Sequence, residues 1–179
     1  MTNTIQGSGS KKILYVAIGS TAAFILYITF ALTPAGLCFN VDNGPNSLGL
    51  SFSYTKGMVL SFFESRSQEQ LLCYSQFLQI WDAMFAIIYT LMYASWIVYL
   101  FNKRWLALIP VIGMISDWSE NYIELLMIKT YTNAGAVSET IVSLGSGINS
   151  FKWVLSSLTY LVILIGIIIA IRSFFSKAR

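Results

Sequence analysis

The chain has 179 residues, of which 56% are hydrophobic and only 11% are charged. Roughly a quarter of the residues in an ordinary soluble domain are charged, so this composition excludes that class and indicates a single-domain integral membrane protein. Histidine is absent, which removes the usual catalytic base and transition-metal ligand. We expect no metal and no cofactor, and the net charge of +3 calls for no nucleic-acid partner. The lipid bilayer is the expected partner.

The first ten residues are polar and rich in Gly and Ser, and a flexible tail is predicted there, ahead of one membrane domain over residues 11–179. An apolar segment at about residues 13–36 follows Lys11 and Lys12. A secretory signal peptide is the alternative interpretation, but its apolar core would have only about 7–15 residues. An uncleaved first membrane span is therefore favoured.

A long loop of about residues 37–75 follows this span. Its second half, residues 56–74, places apolar side chains at helical spacing among charged ones. This pattern predicts an amphipathic segment that caps the bundle, or a helix that merely leads into the next span.

The two cysteines, Cys38 and Cys73, fall at the ends of neighbouring spans. If that face of the membrane is oxidising, a disulfide would join the ends of the loop. Two free cysteines in a membrane protein are the alternative.

Three further apolar segments lie at about residues 76–101, 105–127 and 148–171, and each has the roughly 20 residues that a membrane-spanning helix needs. Only residues 102–104 separate the first two, so we expect an antiparallel hairpin. Helices satisfy their own backbone hydrogen bonds in lipid. The predicted fold is therefore all-α, a polytopic bundle of four transmembrane helices. Glu139 and Gly145 are predicted to lie in a second loop before the last span.

The basic residues predict the orientation. Termini in the cytoplasm put seven of the eleven basic residues on that side: Lys11, Lys12, Lys103, Arg104, Arg172, Lys177 and Arg179. Lys56, Arg66, Lys129 and Lys152 then lie on the other side or towards it. By the positive-inside rule, this distribution favours cytoplasmic N- and C-termini in a bacterial inner membrane or an equivalent one.

The third predicted span carries a run of polar residues. Asp117, Glu120, Asn121 and Glu124 are spaced so that all four share one face of a helix. A carboxylate at the centre of a bilayer costs at least ~2.5–3.5 kcal/mol, so this face is expected to meet protein or water and not lipid.

Residues of the neighbouring spans fall at the same predicted depth. The candidate ligand or ion site consists of Asp82, Asp117, Glu120, Asn121 and Lys152, with Gln79, Tyr89, Trp118, Glu124, Asn149 and Trp153 as supporting residues. Carboxylates outnumber the single lysine. Uncompensated carboxylates in a low dielectric either take up a proton or bind a cation.

Three roles are compatible with this layer. The first is a binding or translocation site for a cation, a proton or a cationic small molecule, with aromatic rings available for cation–π contacts. The second is a structural subunit of a homo-oligomer or larger complex, in which the polar contacts hold helices together. The third is a membrane enzyme that acts on a lipid by acid–base catalysis. Which substrate or ligand is involved does not follow from the sequence.

The chain resembles a group of uncharacterised bacterial four-helix membrane proteins over roughly residues 54–160. The shared elements are Tyr74, Asp82 and Tyr89 on the second span, the D-x-x-E-N motif that begins at Asp117, and the Lys152-Trp153 pair. The resemblance implies the four-span architecture and a common polar site. It implies no activity.

Overall fold

The computed structural model describes residues 8–41 and 46–177, and every regular element in these ranges is helical. The helices are α1 (Ser8–Tyr27), α2 (Thr33–Gly36), α3 (Lys56–Glu64), α4 (Gln68–Gln76), α5 (Ala83–Phe101), α6 (Leu108–Ala134) and α7 (Glu139–Lys177). Most of the predicted tail, residues 1–7, lies outside the described ranges, while α1 already includes Ser8. The all-α prediction is confirmed for the described residues.

Three helical stretches are long and apolar enough to cross a membrane: Lys11–Phe39, Gln68–Phe101 and Glu139–Ser176. The first joins α1 to α2 through a π-helical turn, Ile28–Leu32, and the second joins α4 to α5 through another, Phe77–Asp82. Helix α6 has 27 residues, which is also enough in length, but three carboxylates make it less apolar.

Local sequence explains where several helices begin and end. The Thr55 hydroxyl accepts a hydrogen bond from the Met58 amide at the start of α3, and Ser67 and Gln70 form a reciprocal capping box at the start of α4. Helix α5 ends at Asn102, whose φ is 54°, and α6 ends at Gly135, whose φ is 65°. Left-handed residues of this kind terminate helices because they turn the chain out of the helical path.

The long helices run alternately up and down. Helix α1 packs against α5, α5 packs against α6 and α7, and α6 packs against α7. The turn between α5 and α6 lies at one end of the bundle, which we call the hairpin end. Cys38 and Cys73 form a disulfide at the opposite end, the disulfide end, with their Cα atoms 6.3 Å apart.

The main hydrophobic core lies at the disulfide end. There α3 and the start of α4 pack with the neighbouring ends of the long helices, and the largest fully buried side chains include Phe62, Phe63, Tyr74 and Met127. The two alternatives for the loop are a segment that caps the bundle and a helix that leads into the next span, and each describes part of this region. Helix α3 buries Val59 and the two phenylalanines in the core, while α4 leads directly into α5.

The last helix begins earlier than the apolar segment indicates. Glu139 is its first residue and Gly145 is buried within it, so the predicted second loop is shorter than expected. The first turns of α7 alternate buried residues such as Val142 with exposed polar ones. A hydropathy pattern detects only the uniformly apolar part of such a helix and therefore does not show its amphipathic first turns.

Candidate functional site

A buried ion-pair cluster joins α6 to α7. The Lys152 ammonium lies 3.0 Å from Asp117 Oδ1 and also pairs with the Glu120 carboxylate. Asp117 is 5% exposed and Glu120 is fully buried. Since the two acids are three residues apart on one helix, a single lysine reaches both.

The second π-helical turn adds a carboxylate to the cluster, and helix α5 adds a phenol. The Asn121 amide donates a hydrogen bond of 2.8 Å to Asp82 Oδ2 and one of 3.3 Å to the Leu78 carbonyl. The Tyr89 hydroxyl donates to Asp117 Oδ2 at 3.2 Å. Asp82 is therefore held by a neutral amide, and no basic side chain of the described residues is bonded to it.

A second carboxylate on α6 is held by a tyrosine of α4. Tyr74, which is fully buried, donates its hydroxyl hydrogen to Glu124, which is 1% exposed. The Tyr74 oxygen lies 3.0 Å from the Ser47 hydroxyl and 3.4 Å from the Leu48 amide nitrogen. Only the resemblance points to Tyr74 in the sequence, because its partner Glu124 lies 50 positions away.

The segment of residues 46–55, which we call the cap segment, lies along α7 and covers the cluster. Its backbone carbonyls accept hydrogen bonds from α7: Gly49 from Trp153 at 3.1 Å and Lys152 at 3.5 Å, Ser51 from Asn149 at 2.5 Å, and Phe52 from Ser150 at 3.0 Å. Backbone acceptors carry no residue signature, so sequence patterns gave no sign of these contacts.

A partly open cavity of about 390 Å³ lies beside the cluster, between the cap segment and the long helices. Its polar lining includes Asp82, Asp117, Asn121, Glu124 and Lys152, and its aromatic lining includes Phe77, Phe85, Tyr89, Tyr93, Trp153 and Tyr160. Carboxylates and aromatic rings therefore face the same space.

Both π-helical turns border this cavity. Leu32 ends the first turn, Phe77 begins the second and Asp82 ends it, and all three line the cavity. The π-helical turns are rare and occur frequently at functional sites, because the extra residue changes the direction of the side chains that follow.

Two of the predicted supporting residues lie apart from the cluster. Gln79 sits within the second π-helical turn, where it is exposed and borders a separate groove between α4 and α6. Trp118 is 40% exposed and donates its indole N–H to the Ala83 carbonyl. The extra residue of the π-helical turn explains why Gln79 lies apart from Asp82, although α-helical spacing predicts that both share one face.

The charges of the cluster do not balance. Four carboxylates, those of Asp82, Asp117, Glu120 and Glu124, share one lysine among the described residues around the cavity. Within residues 8–41 and 46–177, no three His, Cys, Asp or Glu side chains are grouped as a metal site would require. Buried carboxylates that outnumber the basic groups either take up a proton or bind a cation.

Three buried polar atoms near the cluster have no hydrogen-bond partner within the described part of the chain: Tyr54 Oη, Glu120 Oε1 and Asn149 Oδ1. Burial raises the pKa of Tyr54 above its ordinary value, and the carboxylates of Glu124 and Glu120 raise it further. The phenol therefore stays protonated. Unpaired buried polar atoms are uncommon in folded proteins and call for an explanation.

Comparisons with protein-family models, with curated proteins and with solved structures found no match to this chain. The resemblance to bacterial four-helix membrane proteins stays a prediction.

Proposed function

We propose that this protein is a four-span membrane protein whose cavity at the disulfide end binds or translocates an organic cation. The expected ligand is a protonated or quaternary amine that carries an apolar group. Its charge would lie near Asp82 and Asp117, and its apolar part would lie against the aromatic wall.

The outward faces of the helices support the fourth span. Helix α6 exposes Ile112, Ile115, Trp118 and Tyr122 on the side away from its carboxylates. Such an apolar face suits contact with lipid, while the polar face is buried against α5 and α7. The helix can then cross the membrane although it carries three acids.

The disulfide supports the proposed orientation. Disulfides form and persist in oxidising compartments, so the disulfide end is assigned to the non-cytoplasmic side. Lys103, Arg104 and Arg172 lie towards the hairpin end, which agrees with the positive-inside rule. The cavity then opens away from the cytoplasm.

The observation that carries the proposal is the joint presence of surplus carboxylates and aromatic side chains around one cavity. Ligand pockets typically combine an apolar wall with a few convergent polar groups and have volumes of roughly 300–1,000 Å³. A bare ion would leave most of the cavity unfilled. An organic cation is attracted both by carboxylates and by aromatic faces, which contribute roughly 0.5–2 kcal/mol each when water is excluded.

Thermal unfolding of the purified protein in mild detergent tests this proposal. Benzyltrimethylammonium and a series of primary aromatic amines would be compared with neutral compounds of the same shape. We expect the cations alone to raise the unfolding temperature, and Asp82→Asn to abolish the effect. Equal responses to charged and neutral compounds would contradict an amine site. A stable oligomer with no response would favour the assembly role, and a co-purified lipid that is chemically converted would favour the enzyme.

A further inference from the structure

The seam where α6, α7 and the cap segment meet holds the three buried polar atoms that have no partner within the described residues. An added Cβ at Gly145 would lie 2.5 Å from Tyr54 Oη and 2.8 Å from Ile123 Cγ2, so the Tyr54 hydroxyl is inserted between α6 and α7. Asn149 follows Gly145 by one turn of α7, and Glu120 precedes Ile123 by one turn of α6. The three unpartnered oxygens therefore belong to adjacent turns of one seam.

Each of these oxygens is oriented by an independent contact. The Asn149 amide nitrogen donates to the Ser51 carbonyl, so its oxygen is left for another partner. Lys152 takes only one oxygen of Glu120 and leaves Oε1 unpaired. The Tyr54 backbone amide is fixed by the Ser146 hydroxyl at 2.9 Å.

We propose that this seam binds a small monovalent cation, Na⁺, through Glu120 Oε1, Asn149 Oδ1 and Tyr54 Oη. Hard cations take oxygen ligands, and leaving these atoms unpaired and buried would cost free energy. The set holds one carboxylate, one amide and one phenol, which suits a single positive charge. Glu124 lies one turn beyond Glu120 on the same helix face.

The ion would also explain how the carboxylate surplus is tolerated. Lys152 serves Asp117 and Glu120 together, so a second positive charge beside Glu120 brings this part of the cluster to neutrality. Because Glu120 touches both the lysine and the proposed ion, Na⁺ would stabilise the ion pair that forms one wall of the cavity. The site is separate from the amine cavity and is tested separately.

The experiment is thermal unfolding in mild detergent in NaCl, KCl or CsCl at equal ionic strength. At ten times the Kd for Na⁺, we expect the wild-type unfolding temperature to exceed that in CsCl by about 3–5 °C. Tyr54→Phe should lose this difference, and in CsCl it should be at least as stable as wild type, because it removes an unpaired hydroxyl. The matched control is Tyr122→Phe, whose ring is 62% exposed on α6 and which should keep the full difference.

Equal unfolding temperatures in the three salts would overturn the sodium site and leave a buried water molecule as the occupant. So would a Tyr54→Phe variant that keeps the wild-type response. Binding of radioactive ²²Na⁺ to Asn149→Ala, which should fall at least tenfold, provides a second measurement if Tyr54→Phe is unstable. None of these outcomes depends on amine binding in the cavity, so failure of one proposal leaves the other standing.

Discussion

The two ends of the bundle use polar side chains in different ways. At the hairpin end, the Ser20 and Ser95 hydroxyls lie 3.2 Å apart between α1 and α5, where one donates to the other, and each is also within hydrogen-bond distance of a carbonyl of its own helix. The Trp96 indole donates to the Thr21 hydroxyl at 2.9 Å. These groups are neutral, and each has a partner.

At the disulfide end the polar groups are charged, and acceptors outnumber donors. Asp117 and Glu120 share Lys152, Glu120 keeps one oxygen unpaired, and a cavity opens beside them. Contacts that only hold helices together need neither surplus charge nor empty space. We propose that the polar contacts of the hairpin end serve packing and that those of the disulfide end serve ligand binding.

The largest expected effect comes from removing the lysine. Lys152→Met would leave Asp117 and Glu120 buried without the lysine that they share, which should lower the free energy of unfolding by about 3–5 kcal/mol. Chemical denaturation in detergent measures this. Lys129→Met, at an exposed position of α6, is the matched control and should stay near wild type. Similar losses of unfolding free energy in both variants would contradict a stabilising role of the buried ion pair.

Removing the disulfide should lower the free energy of unfolding nearly as much. The double variant Cys38→Ser, Cys73→Ser frees a loop closed over 35 positions, which corresponds to about 3–4 kcal/mol in the chain-entropy model. Amine affinity should fall as well, because Leu37 and Phe39 line the cavity. Reductant should reproduce the loss in wild type and leave the double variant unaffected. If reductant destabilised the double variant as well as wild type, the sensitivity to reductant would not come from this disulfide.

A smaller effect is expected from crowding the cap segment. In Gly49→Ala, the new Cβ would lie 3.1 Å from Glu120 Oε1 and 3.3 Å from Lys152 Nζ, so these side chains or the cap must move by a few tenths of an ångström. We expect a loss of about 1–2 kcal/mol in unfolding free energy. Gly147→Ala, where the Cβ meets nothing within 4 Å, should instead stabilise α7 slightly. The two variants would be compared by thermal unfolding. If Gly49→Ala unfolds at the wild-type temperature, the groups around Gly49 adjust without a loss of stability.

The smallest effect should come from the hairpin end. Ser20→Ala removes one neutral interhelical contact, and such contacts contribute about 0.6 kcal/mol on average. A double-mutant cycle with Ser95→Ala gives the coupling energy. Neither variant should alter amine affinity. If either variant lost amine binding, the hairpin end would also contribute to binding. This result would contradict the division of roles between the two ends.

Much of the local arrangement was predictable because helical spacing is a property of sequence. The offsets of Asp117, Glu120 and Asn121 define one face of α6, and these residues lie together with Lys152 in the structure. The Asn102 turn between α5 and α6 was equally evident, since so few residues separate the two apolar segments.

The remaining features depend on geometry that has no local signature. A π-helical turn inserts one residue and moves Gln79 away from Asp82, although their spacing suggests a shared face. The cap segment is held by backbone carbonyls, which every residue has. Tyr74 meets Glu124 only because α4 and α6 are neighbours in the folded bundle.

Native mass spectrometry of wild type beside Asp117→Asn, in mild detergent, tests the central claim most directly. The substitution keeps the size of the side chain and removes one charge from the cavity wall. We predict that wild type carries a bound small cation whose mass is absent from the variant, while Ser20→Ala retains it. Identical spectra for all three proteins, with no small ligand or with the same oligomer throughout, would contradict the binding site and make the polar cluster a packing device.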